Sequence, residues 1–243
     1  MSPAPDSKRT APEAPTIAGT SLAVADATVT RARMRRMLAA CDIEPNRYGA
    51  QADPSLLGMD CAVAIRKSKV RTPDRVVHLE QRLKVVQAIA ADEKLGVRAK
   101  IESVEQTKDG EKARAAFEFF NRDGAVVATA WATTLAAEPV WWRDVPAFKG
   151  DPRAGWKLVA RKLLNGAKVQ AYAEDLGARL HFDPAFSVRY GLRAPLANSL
   201  MAMTWAVEAI SAQGLPVAFE INSRFLQPLH WDAVSYTHLT LPT

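Results

Sequence analysis

A chain of 243 residues, 48% hydrophobic and 24% charged, is long enough to bury a real core, and its composition excludes disorder as the default class. No apolar run reaches the ~18 residues of a membrane span, and two cysteines, Cys41 and Cys61, without metal spacing exclude a disulfide scaffold and point to the cytoplasm. The net charge of +6 suits an anionic ligand or an acidic carrier protein, and no nucleic-acid motif accompanies it.

Residues 1–21 open with MSPAPDSKRTAPEAPTIAGT, rich in Pro, Ala, Ser and Thr, and read as a disordered tail without the apolar core of a secretory signal. Residues 28–40 predict a helix with Met34, Met37 and Leu38 on one side and the arginines of RARMRR on a solvated other side. An irregular segment with the apolar patch SLLGMDCAVAI follows to about Asp74. VVHLEQRLKVV, KLGVRAKIESVEQT and EKARAAFEFFNRDGAVVATAWATTLAAEP then carry β signals. The last makes two strands around Asp123-Gly124, a hairpin cue between apolar runs. His78 falls in this β-run as a hydrogen-bonded sheet histidine, and Asp92-Glu93 reads as a solvated turn. Residues 22–139 thus predict a helix backed by a strongly bent antiparallel sheet.

Residues 140–155, VWWRDVPAFKGDPRAG, read as a linker whose adjacent tryptophans pack across an interface. WKLVARKLL is strand-like, Asn165-Gly166 predicts a turn, and VQAYAEDLG a short helix ending at Gly177. DPAFSVRYG predicts another, with Asp183 as N-cap, Pro184 at its first position and Gly191 past its end. PLANSLMAMTWAVEAISAQG is a long, buried helix, with Leu200, Met203, Thr204, Val207 and Ile210 at helical spacing and Gly214 ending it. Its Met201, Met203 and Trp205 either line an acyl tunnel or form plain core. VAFEINSRFLQPL alternates as a strand. The closing YTHLTLPT continues no pattern, so residues 236–243 read as a non-native tail in which His238 carries no functional weight.

YAEDLGARLHFDPAFSVRYGLRAPLANSLM, with Tyr172-Ala173, His181, Asp183-Pro184, Gly191 and Pro195-Leu196-Ala197 in that order, resembles the MaoC-like hydratase and dehydratase family. FEINSRFLQPLHWDAV is similar to the family strand after the central helix, and VVHLEQRLKVVQAI to the degenerate first repeat of two-repeat members. The resemblance runs from about Val76 to Val234. It implies an α+β double hot dog, each repeat a curved antiparallel sheet wrapped around a long helix. Residues 156–235 are then the second repeat, incomplete in its strands. The implied reaction interconverts trans-2-enoyl and (R)-3-hydroxyacyl thioesters of coenzyme A or acyl carrier protein, with no cofactor and no metal. A homodimer or a hot-dog partner subunit is implied as well.

The same resemblance assigns roles. His181 falls at the family's catalytic histidine. The catalytic aspartate's place is taken by Leu176, with Asp175 one position further away as the candidate partner. Gly177, Asn198 and Ser199 are the substrate-binding candidates. Asn198-Ser199 stand where the family has His-Gly, and the Ser199 N–H can still polarise a thioester carbonyl at a helix start. These departures leave two readings: a hydratase using His181 with Asp175, or an inactive hot-dog protein that binds acyl thioesters or pairs with an active subunit. A third, a thioesterase, would use Glu208. His230 reads as surface.

Overall fold

Thr30 starts helix α1 (Arg31–Ala40) by accepting the Arg33 N–H at its hydroxyl, and Met34, Met37 and Leu38 are buried as the pattern predicts. The computed structural model describes residues 18–68, 76–137, 157–211 and 214–239. The predicted linker, residues 140–155, lies outside them. The stretch read as irregular is instead a 3₁₀ turn (Pro54–Leu56) running into helix α2 (Leu57–Lys67). Asp53 caps it, its Oδ1 accepting the Ser55 N–H at 2.9 Å, with Pro54 at the first position.

One sheet holds β1 (Ala27–Thr28), β2 (Val76–Val85), β3 (Lys94–Thr107), β4 (Gly110–Phe120) and β5 (Val126–Ala137). Asn121 makes the β4–β5 turn by accepting the N–H groups of Asp123 and Ala125, and Gly124 takes φ +78° there. Alternation puts Ala113, Ala115, Phe117 and Phe119 inward, against α2 and its neighbours.

The second half runs β6 (Lys157–Leu163), α3 (Gly166–Ala173), α4 (Pro184–Arg189), α5 (Leu200–Ile210), β7 (Phe219–Arg224) and β8 (Val234–Leu239). Asn165-Gly166 is not a turn. Asn165 caps α3 by accepting the Lys168 N–H at 2.9 Å. Asp183 caps α4 through Phe186 N–H, as the sequence predicts. The sheet order is β1-β3-β4-β5-β2-β7, all antiparallel, and β6 pairs with β8 apart from it. Residues 236–239 of the stretch set apart as a tail thus extend β8. Among the described residues the second half contributes three strands against five in the first.

β7 joins β2 from Glu80↔Arg224 to Val85↔Phe219, so the sheet continues from one half into the other. The central helices also meet. A Cβ on Gly58 would lie 2.9 Å from Leu200 Cδ2 and 3.1 Å from Met203 Cε. Thr204 Oγ1 stands 2.8 Å from the Tyr172 hydroxyl and 3.0 Å from Ser55 Oγ, a buried hydroxyl chain across the junction. The Trp205 indole N–H donates to the Cys41 carbonyl. The arginines of α1 are not all solvated. Arg33 bridges Asp60 of α2 and Asp175 beyond α3, and Arg36 holds Glu174 and Asp175.

The two halves repeat one backbone pattern. Ala52 N–H donates to Ile89 and Ala197 N–H to Leu229; Ala91 N–H donates to Ala50 and Trp231 N–H to Pro195. The bridges Gln51↔Ala90 and Leu196↔His230 match in the same way. This registers Ala50-Gln51-Ala52 with Pro195-Leu196-Ala197 and Asp53 with Asn198. Both of the last pair accept, at 2.9 Å, the N–H two residues on. Ahead of this match the loops differ: residues 41–49 separate α1 from Ala50, whereas residues 174–194 separate α3 from Pro195. No helix among the described residues is long and apolar enough to cross a membrane.

Candidate active site

That longer loop shapes a cavity of about 340 Å³ between the repeats. Ala62, Ile65 and Arg66 of α2 and the start of β2 form one wall. The loop from Leu176 to His181, the start of α5 and the segment after β7 form the other. The lining is mostly apolar, and among the described residues no carboxylate belongs to it.

His181 closes a 3₁₀ turn (Arg179–His181) and is half-buried on this lining. Its Nδ1 lies 2.8 Å from the Leu196 carbonyl oxygen, which only accepts, so Nδ1 carries the proton and donates. Nε2 is then the lone-pair nitrogen of the neutral ring. Burial lowers the His181 pKa below the usual histidine value, and the nearby Arg66 charge pushes the same way against the Leu196 bond. The ring is therefore an unprotonated base at neutral pH.

Asn198 and Ser199 line the cavity beside it, where α5 begins. Asn198 is buried and its Oδ1 accepts the Leu200 N–H, so the amide is spent on capping the helix. The backbone N–H of Ser199 has no acceptor among the described residues. Gly177 is not on the lining. It ends the α3 turn at φ +60°, and its carbonyl accepts from Arg66 Nη2 at 3.4 Å.

Asp175 is placed elsewhere. Its Oδ2 accepts from Arg33 at 3.0 Å and its Oδ1 from Arg36 at 2.6 Å, and it does not line the cavity. The physical reason is α1: two guanidinium groups on one helix face outcompete a lone imidazole for this carboxylate. Glu208 is likewise committed, to Lys162 at 2.7 Å, and is not on the lining, which removes the carboxylate a thioesterase would need there. Met201, Met203 and Trp205 are buried core and do not line this cavity.

His78 is a residue that its β-strand setting concealed. Its Nε2 lies 3.0 Å from the Glu80 carbonyl across a break in the β2–β5 register, as a sheet histidine would, yet it lines the same cavity. Burial lowers its pKa to about 4. Its ring meets Phe225 edge-on at 5.2 Å. The β2–β5 register breaks between His78 and Glu80, and no periodicity in VVHLEQ announces that.

No family model and no curated protein matches the chain. Solved structures do. HtdX of Mycobacterium tuberculosis superposes with a TM-score of 0.71 at 17% identity, covering 88% of this chain and 86% of its own. A MaoC-like dehydratase from Phytophthora capsici gives 0.71 at 17%, over 91% of this chain and 86% of that one. A Mycobacterium tuberculosis protein described as having a double hot-dog fold gives 0.59 at 18%, over 91% and 83%. With its paired central helices and continuous antiparallel sheet, the chain is by its fold a double hot dog of the kind seen in the MaoC-like dehydratases.

Proposed function

We propose that the cavity receives the acyl thioester of coenzyme A or acyl carrier protein and that His181 interconverts its trans-2-enoyl and (R)-3-hydroxyacyl forms. The observation that carries this reading is a neutral histidine, its Nδ1 fixed on Leu196, set in an apolar cavity beside the N-terminus of α5. In hydration, Nε2 takes a proton from water as its oxygen bonds to the β-carbon. The double-bond electrons move onto the thioester carbonyl, where the Ser199 N–H and the helix dipole favour the developing charge. The imidazolium then returns the proton to the α-carbon, so one group serves as base and acid. Dehydration is the reverse.

Loss of the conjugated enoyl-thioester absorbance of crotonyl-CoA and a medium-chain enoyl-CoA tests this. His181→Ala should reduce turnover at least ~100-fold, the scale of a general acid–base group. Unchanged turnover in that variant removes the role. A second reading, a hot-dog protein that binds thioesters without turnover, is favoured by the Arg33 and Arg36 pairs that hold Asp175 away. Calorimetric binding of acyl-CoA with no hydration by the folded protein selects it.

A further inference from the structure

The residue that sets His181 in the second repeat is carried by the first. We propose that Arg66 is the positioning residue for His181: from the last turn of α2 its guanidinium donates to the Gly177 carbonyl and lines the same cavity as the imidazole, from the facing wall. This rests on the acid–base role given to His181 above.

The mechanical chain is short. Gly177 N–H donates back to Ala173 at the end of α3, so its left-handed turn fixes the direction in which the chain leaves the helix. Ala178 follows, and its carbonyl accepts the His181 N–H. From there Leu196 fixes the ring through Nδ1. Arg66 thus holds the loop at its root and Leu196 holds the ring at its tip. With Asp175 turned toward α1, no carboxylate of the cavity lining orients the histidine.

Arg66 also acts by charge. The other titratable side chains on the lining are His78, Arg179, Tyr190 and Arg224. Arg179 is engaged by Asp183 at 2.6 Å on the side of α4, and burial lowers the His78 pKa to about 4, so it is neutral at neutral pH. Burial does most to keep His181 a free base, and the Arg66 guanidinium adds to it by disfavouring the imidazolium. A positioning carboxylate would do the opposite, raising the histidine's basicity.

The test separates the two actions with Arg66→Met and Arg66→Lys, each first checked for native circular dichroism and melting. Histidine Cε1 protons are followed by NMR through a pH titration, His181 being assigned by its loss in His181→Ala. Arg66→Met should raise the His181 pKa and move the acid limb of the kcat profile with it. Its kcat should fall ~10–100-fold with KM little changed, the cost of a misplaced base. Arg66→Lys should keep the His181 pKa while losing part of kcat, because an ammonium lacks the planar reach to Gly177. An unmoved His181 titration in a folded Arg66→Met overturns the proposal. The titration needs no turnover, so it decides the matter even where the hydratase reading fails. Wherever Arg66→Met does not fold, a His181 chemical shift in Arg66→Lys identical to wild type at every pH overturns the pin.

Discussion

Asp53 shows how differently two matched residues are treated. It occupies in the first repeat the place of Asn198 in the second and makes the same backbone bond, yet it is fully buried, and its Oδ2 and the buried Tyr48 hydroxyl lack hydrogen-bond partners among the described residues. Burial pushes its pKa up to about 6, against the lowering by its Ser55 bonds. Folded protein therefore holds this proton where the unfolded chain has released it. Its contribution to stability is greatest below pH ~4, falls as pH rises toward ~6, and stays at its lowest above. Asp53→Asn keeps the Oδ1 acceptor and removes the charge. Urea denaturation should find the variant more stable by up to ~3 kcal/mol at pH 7.5 and nearly equal to wild type at pH 4. A difference that does not change with pH would mean that Asp53 ionises in the folded protein as it does in the unfolded chain, with no raised pKa.

At this scale the sequence was half legible. The Asp183 cap was legible because it depends on a neighbour three residues away, and the His181 that H-x-D-P singles out lines the cavity. Asp175 looked available because its owners, Arg33 and Arg36, are about 140 residues distant and belong to a helix whose basic face resembles ordinary surface. His78 was concealed for a similar reason: the cavity it faces is closed by Phe225, Leu229 and the His181 loop of the other repeat.

Among the elements, α2 is the instructive case. It is short and apolar on most sides, so periodicity could not tell it from a buried irregular segment. The Asp-Pro pair that correctly marked α4 at Asp183-Pro184 also stands at Asp53-Pro54 and would have found it. Its Gly58 lets α5 approach, since any side chain there meets Leu200 and Met203, both fully buried. Gly58→Val should cost about 1–3 kcal/mol in chemical denaturation, as overpacking does. A loss under ~0.5 kcal/mol would show that the helices slide apart freely. The β-strands were read well because alternation and the Asp123-Gly124 turn are local signals. Which strand joins the repeats is a long-range choice, and no local pattern carries it.

The whole molecule is tied at that joint. Gln81 and Leu83 of β2 are buried between β5 and β7, and residues of both repeats share one core. Neither half can unfold without exposing the other, so urea transitions by circular dichroism and by tryptophan fluorescence should coincide. Leu83→Ala should shift both midpoints together, at a cost of about 2–5 kcal/mol. Separate midpoints would show two independent repeats.

The loops after α1 and α3 give this near-symmetric body a front and a back. The short connection draws Tyr48 down into the interior, and Arg47 reaches across to the carbonyls of Glu208 and Ser211 at the end of α5, so that side is sealed. The long one adds a turn and a helix that stand off from the core and leave a mouth beneath them. What distinguishes the open side from the closed one is therefore path length before it is chemistry. A molecule built from two similar halves thus carries this cavity under the half whose loop is longer.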